Sequence, residues 1–187
     1  KPEVMARVKP YLNLAEQLGK FQSQLMDGRI NKVEVIYSGT LSNEDVTPIT
    51  TALVKGLLDP ILQESVNYVN APLLAKNRGI KVVQTLNGNG EGYTSLITVK
   101  VTSDKKEKSV AGTLFMQDEP RIVMIDGYRI DAVPSGYMLY VPHIDKPRII
   151  GPVGNLIGAH NINIASMQVG RKEIGGKAVM MLAIDAI

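Results

Sequence analysis

YMLYVPHIDKPRIIGPVGNLIGAHNINIASMQVGR, residues 137–171, decides the fold of the second part of this 187-residue chain. It reads as strand, loop, helix and strand. Tyr137 to Val141 is a short, nearly all-apolar run, the pattern of a buried strand. His143-Ile144-Asp145-Lys146-Pro147 breaks it. Asp145 is placed to cap a helix, because its carboxylate accepts orphan backbone N–H groups. Pro147 suits a first helical turn, where a missing N–H costs nothing. Ile149, Ile150, Val153, Leu156 and Ile157 then recur at helical spacing. Asn161 suits the left-handed conformation that ends a helix. Ile162, Ile164 and Ser166 alternate with Asn163, Ala165 and Met167, which predicts a strand. Gly175-Gly176 turns the chain into a third strand, Lys177 to Asp185. Gly151, Gly154 and Gly158 lie three and four residues apart in the helix. Each costs about 1 kcal/mol relative to Ala, so this face is expected to pack closely against a sheet or another helix.

Upstream, Leu14, Leu18, Phe21 and Leu25 mark one face of an amphipathic helix over Val4 to Met26. Asp27-Gly28 ends it. Val33, Val35 and Tyr37 alternate with Lys32, Glu34 and Ile36, a strand. Ser42 to Asp45 supplies capping chemistry, and Thr47-Pro48 opens a second helix through Leu58. Asp59-Pro60 interrupts that helix, with Ile61 and Leu62 expected to resume it. Asn67 to Pro72 is turn-rich. Leu73 to Arg78 predicts a short helix closed by Gly79, and Ile80 to Leu86 a strand. Ser95 to Val133 reads as an antiparallel meander. Its turns are the Lys-rich tip Asp104-Lys105-Lys106-Glu107-Lys108 and the hairpin signal Asp126-Gly127, where Gly tolerates positive φ. Pro134-Ser135-Gly136 is a linker. The expected class is α+β in two domains: residues 1–134, mixed α/β with the meander, and residues 135–187.

Composition narrows the function. The chain is 44% hydrophobic and 21% charged, ordinary for a globular protein. Cys is absent, which removes disulfides, thiolate metal sites and cysteine nucleophiles and fits a cytoplasmic protein. No apolar run reaches the roughly 20 residues that cross a bilayer, so no membrane partner is expected. A net charge of +3 with two Phe and no Trp leaves few platforms for stacking bases, so no nucleic-acid partner is expected either.

Catalytic and cofactor patterns are missing. Asn87-Gly88-Asn89-Gly90-Glu91-Gly92 alternates glycines, but a strand pattern follows, whereas a dinucleotide fingerprint leads into a helix. His143, Asp145 and Ser135 lack a nucleophile elbow. His143 and Asp145 lack a third metal ligand. No catalytic residue, metal or cofactor is assigned to this chain.

The segment HIDKP with HNINIASMQVGR resembles the first half of an ACT domain, the βαββαβ ferredoxin-like module that binds amino acids. The resemblance is closest to the ACT domain of the D-3-phosphoglycerate dehydrogenase family. PYLNLAEQLGKFQSQL, VEVIYSG, KGLLDPIL, VNYVNAPLLAKNRGI, SVAGTLF and PRIVMIDGYRIDA resemble the intervening domain that precedes it. Together the two resemblances cover essentially the whole chain. They imply the regulatory, oligomerising region of an NAD-dependent enzyme of serine biosynthesis, without its Rossmann domain or its catalytic residues.

In that family an amino-acid effector sits between two ACT domains, with the strand-to-helix loop from one subunit and the Asn of the following strand from the other. By position, the resemblance makes His143, Asp145 and Asn163 the residues that contact L-serine. It also places a basic residue near Arg121, which with Arg129 suggests an anion site. The family's loop reads Asp-Arg-Pro-Gly. Here it is Asp145-Lys146-Pro147-Arg148, with a Cβ and a cationic arm where Gly is usual. An ACT domain would continue past Ile187 for roughly another 25 residues by element lengths, so its last helix and strand are expected to be cut off. The regulatory part of an L-serine dehydratase and a stand-alone amino-acid-binding module are the alternative readings.

Overall fold

A computed structural model describes residues 2–185. The first helix, α1 (Pro2–Leu25), buries Leu14 and Leu18 fully and Phe21 and Leu25 in part. It crosses α2 (Thr47–Leu58) at two glycines. A Cβ on Gly56 would lie 2.0 Å from the Glu16 carbonyl oxygen, and one on Gly19 would lie 2.2 Å from that of Leu53. The two backbones therefore touch, and no side chain fits between them. Asp45 accepts a hydrogen bond from the Thr47 N–H at 3.1 Å, one of the donors left orphaned at the start of α2.

β1 (Ile30–Gly39) lies inside a six-stranded sheet of order β2-β1-β3-β4-β5-β6. β2 (Lys81–Asn87) runs parallel to β1, because the chain crosses over through α2 and α3 (Ala71–Asn77). β3 (Ser95–Ser103), β4 (Glu107–Phe115), β5 (Glu119–Ile125) and β6 (Tyr128–Ala132) form the antiparallel meander. The alternation read in the sequence is the burial pattern: Val33, Val35, Tyr37, Ile97, Val99 and Val101 are fully buried in one core with the helices. Asp126 and Gly127 both take positive φ, 48° and 79°, at the β5–β6 turn. α2 does not resume at Ile61 and Leu62. The chain turns at Asp59-Pro60-Ile61 instead, and Ile61 is 40% exposed.

After the 134–136 connection come β7 (Tyr137–Ile144), α4 (Ile150–Ala159), β8 (Ile164–Arg171) and β9 (Lys177–Ile184). They form a three-stranded antiparallel sheet of order β7-β9-β8. β9 is the buried strand. Met180, Leu182 and Ile184 pack with Ile157 and Val153 of α4, while Val179 and Met181 join the core of the large sheet. The small sheet is thus covered by α4 on one face and by the first unit on the other.

Three expectations for this region fail. Tyr137–Val141 is not buried: β7 is an outer strand, with Tyr137 51% and Leu139 37% exposed. Its apolar residues are shared between two partly covered faces, which a short apolar run does not distinguish from full burial. Asp145 does not cap α4, which begins five residues later with Ile149 at the N-cap and no side-chain cap. Asp145 is engaged across the sheet, as described below. The glycine face of α4 does not pack closely. A Cβ at Gly151, Gly154 or Gly158 would meet nothing within 4 Å among the described residues, and Leu156 is 63% exposed. Asn161 does adopt the left-handed conformation, with φ 57°.

Candidate functional site

Pairing register sets the positions of the candidate residues. Ile144 at the end of β7 lies opposite Lys177, and Tyr137 at its start lies opposite Ile184. β8 brings Arg171 opposite Ala178, and Ile164 opposite Ile184. Asp145 therefore sits at one end of the small sheet and Asn163 at the other. At about 3.4 Å per residue the two are separated by about 20–25 Å within one chain.

At the first end, Asp145 is largely covered, its side chain 19% exposed. Its Oδ2 accepts a hydrogen bond from Arg171 Nη1 at 2.6 Å and a longer one from the Gly175 N–H at 3.4 Å. The Asp145 N–H donates to the Gly176 carbonyl at 2.8 Å. The Arg171 hydrogen bond holds the Asp145 carboxyl below the usual carboxylate range. Desolvation opposes that hydrogen bond, and the Gly175 N–H and the Arg171 charge reinforce it. His143 is half-buried, with Nδ1 3.1 Å from the Val141 carbonyl oxygen. At the far end, Asn163 is exposed and donates from Nδ2 to Asp185 Oδ2 at 2.8 Å. The fold brings His143 and Asp145 to one end and does not bring Asn163 to them within a chain.

The two candidate anion ligands are differently placed. Arg121 is flanked by carboxylates, Glu119 at 3.1 Å and Asp131 at 3.4 Å, and its guanidinium lies 5.1 Å from the Phe115 ring centre. Arg129 is exposed, opposite Met124 of β5.

The sequence of residues 7–126 matches the family profile described as the D-3-phosphoglycerate dehydrogenase intervening domain. The chain belongs to the D-3-phosphoglycerate dehydrogenase family. It is 46% identical over 183 residues to the D-3-phosphoglycerate dehydrogenase of Methanocaldococcus jannaschii, covering 98% of this chain and 34% of that protein. The Bacillus subtilis enzyme of the same name is 42% identical over 180 residues, covering 96% of this chain and 34% of that protein. The Mycobacterium leprae enzyme is 31% identical over 184 residues, covering 97% and 35%. The chain thus spans about a third of the length of these dehydrogenases, and corresponds to their C-terminal regulatory region.

Within this member of the dehydrogenase family, several site residues were not evident from sequence. Arg171, the partner of Asp145, lies 26 residues away and on a different strand. A second group joins the two sheets. Lys108 Nζ is 2.6 Å from Asp126 Oδ2 and donates to the Tyr140 hydroxyl at 3.3 Å. Burial alone would lower the Lys108 pKa, but these hydrogen bonds and the Asp126 charge outweigh it and raise it. Lys172 donates to the Asp126 carbonyl at 3.2 Å and lies 4.7 Å from the Tyr128 ring centre. Between these residues, a Cβ on Gly170 would lie 2.6 Å from the Arg129 carbonyl oxygen. A glycine near a strand end is the only local sign of that contact.

The Asn87–Gly92 connection leads into β3, not a helix, so it offers no helix N-terminus to a dinucleotide pyrophosphate. Among the described residues no three His, Cys, Asp or Glu side chains group as a metal site. No helix of the described residues is long and apolar enough to cross a membrane. An open groove of about 770 Å³ between α1 and β7, lined in part by Lys20, Phe21, Lys106 and Tyr140, does not include His143, Asp145 or Asn163.

Proposed function

We propose that the chain regulates a D-3-phosphoglycerate dehydrogenase by self-association and by binding L-serine through an ACT-like unit at residues 135–187. Residues 1–134 form the intervening unit. NAD and the catalytic groups belong to the catalytic part of the full-length enzyme. The strand order β7-β9-β8, with a helix on one face, agrees with the first three strands of a ferredoxin-like sheet. The observation that carries the reading is the covered Asp145 carboxylate at one end of that sheet, with His143 beside it and Asn163 at the opposite end. A carboxylate held ionised is a receptor for an ammonium group. The separation suits a ligand shared between two chains, Asp145 meeting its ammonium and Asn163 its other polar groups.

Calorimetric titration of L-serine tests this. Wild type is expected to bind, and Asp145→Ala to lose affinity by about tenfold to a hundredfold, the effect of one charge-assisted hydrogen bond. Equal affinities reject the placement. Self-association is read separately by sedimentation at micromolar concentration, where a monomer rejects it.

The reading also includes an anionic effector at Arg121 and Arg129. Glu119 and Asp131 already neutralise Arg121, so a phosphate or carboxylate must displace them. Anion binding unchanged by Arg121→Ala removes that site.

A further inference from the structure

The start of α4 lies five residues beyond Asp145, and of the nearby cationic side chains, those of Lys146, Arg148 and Arg171, only that of Arg171 is paired with Asp145. We propose that Arg171 supplies the cationic partner for the carboxylate of an amino-acid ligand, so that the Asp145–Arg171 pair recognises a zwitterionic α-amino acid and rejects amines and hydroxy acids. The inference rests on the effector reading above.

The pair is half used. Both contacts to the Asp145 carboxylate fall on Oδ2, from Arg171 and Gly175, and none among the described residues falls on Oδ1. The guanidinium commits only Nη1 to Asp145, and the Arg171 side chain is 50% exposed against 19% for Asp145. A guanidinium carries five N–H donors in a planar fork. An unpaired carboxylate oxygen therefore belongs to the same ion pair as a guanidinium with unpaired donors. The first fits an ammonium group. The second fits a carboxylate in two parallel hydrogen bonds. An amine satisfies only the acidic half and a hydroxy acid only the basic half.

The arm is also fixed at its root. Gly170 abuts the Arg129 carbonyl oxygen, and Lys172 reaches the Asp126 carbonyl at 3.2 Å. Both neighbours of Arg171 are thus docked on the β5–β6 hairpin, which reduces the ordering needed when a ligand arrives.

Three ligands separate the possibilities by calorimetry with the whole chain: L-serine, ethanolamine, which lacks its carboxylate, and 3-hydroxypropionate, which lacks its ammonium. Wild type is expected to bind serine at least about tenfold more tightly than either analogue. Arg171→Gln is expected to weaken serine by about tenfold to a hundredfold while leaving ethanolamine within about twofold. Arg171→Lys should restore part of the loss.

Several results overturn the inference. If Arg171→Gln tightens serine and ethanolamine alike, Arg171 is a competitor for Asp145. If it weakens both alike, Arg171 only orients Asp145. If serine binding is unchanged, Arg171 plays no part, although the effector reading survives. Equal affinity of wild type for serine and ethanolamine overturns the inference without any variant. Absence of serine binding to wild type removes the effector reading and this inference with it.

Discussion

Arg148 occupies the loop position where the resemblance to the Asp-Arg-Pro-Gly loop implies Gly, and its backbone φ is +67°. Pro147 followed by a residue of positive φ is the signature of a type II turn, whose third position favours Gly. A residue with a Cβ in the left-handed region costs about 1–2 kcal/mol. Replacing it with Gly removes that cost but adds about 0.4–1 kcal/mol of chain entropy to the unfolded state. The balance favours Arg148→Gly by about 0–1.6 kcal/mol, with a midpoint of about 0.8 kcal/mol. In a chain of this length that midpoint corresponds to a rise in melting temperature of about 1–4 °C. Arg148→Ala keeps the Cβ and should show no rise, so it separates backbone strain from loss of the exposed charged arm. Thermal unfolding followed by circular dichroism reads both variants. Serine titration of the Gly variant should show affinity equal to wild type or tighter. Gly and Ala variants melting together, or the Gly variant melting below wild type, would refute the strain argument.

Gly56→Ala should destabilise the chain by about 3 kcal/mol in urea unfolding, because its new Cβ falls 2.0 Å from the Glu16 carbonyl and backbone must move to admit it. A pH effect centres on Glu16, which pairs with Lys55 at 2.6 Å and accepts a hydrogen bond from Tyr68 at 2.9 Å. Burial pushes the Glu16 pKa up, but those hydrogen bonds with the Lys55 and Lys20 charges outweigh it and hold the value below 4.5. Its stabilising contribution is therefore complete above the unfolded pKa and is lost as pH falls through the lower folded value. Glu16→Gln should lower stability at neutral pH and flatten this part of the acid limb. An unchanged acid limb would remove Glu16 as its cause.

The parts of the fold legible in the sequence are those fixed by local pattern. The β3–β6 meander follows from period-two alternation, and its last turn from Asp126-Gly127. Asn161 marks the end of α4 because few residues with a side chain tolerate positive φ. What was not legible depends on partners distant along the chain. Gly19 and Gly56 look like weak points in two helices until the helices cross, when they become the contact itself. The apolar run of β7 has the composition of a buried strand, yet the strand lies at an edge because β9 takes the central place. Asp145 has the spacing of a helix cap, but Arg171 is the stronger partner. A hydrogen bond from a charged guanidinium across the sheet outweighs one from the neutral backbone N–H of a helix whose first turn begins five residues away. Arg171 carries no local signal, since strand alternation indicates a face and not the identity of the group beyond the middle strand.

The separation of Asp145 from Asn163 makes the shared-site reading testable without a structure of the complex. In a two-fold dimer each residue meets its counterpart's partner twice, giving two equivalent sites. Asp145→Ala breaks both sites of its dimer, and Asn163→Ala breaks both of its own. A mixed dimer gathers both substitutions into one site and leaves the other with wild-type Asp145 from one chain and wild-type Asn163 from its partner. Random reassortment makes half the dimers mixed, and each has one intact site of two, so roughly one quarter of the wild-type capacity should return at wild-type affinity. A site contained within one chain cannot recover, because every chain in the mixture carries a defect. The assay is serine titration before and after the two variants are unfolded together and refolded. Recovery near one quarter supports a site built across chains. No recovery, with exchange verified by mass-tagged chains, would return the ligand to a single chain and end the role of Asn163.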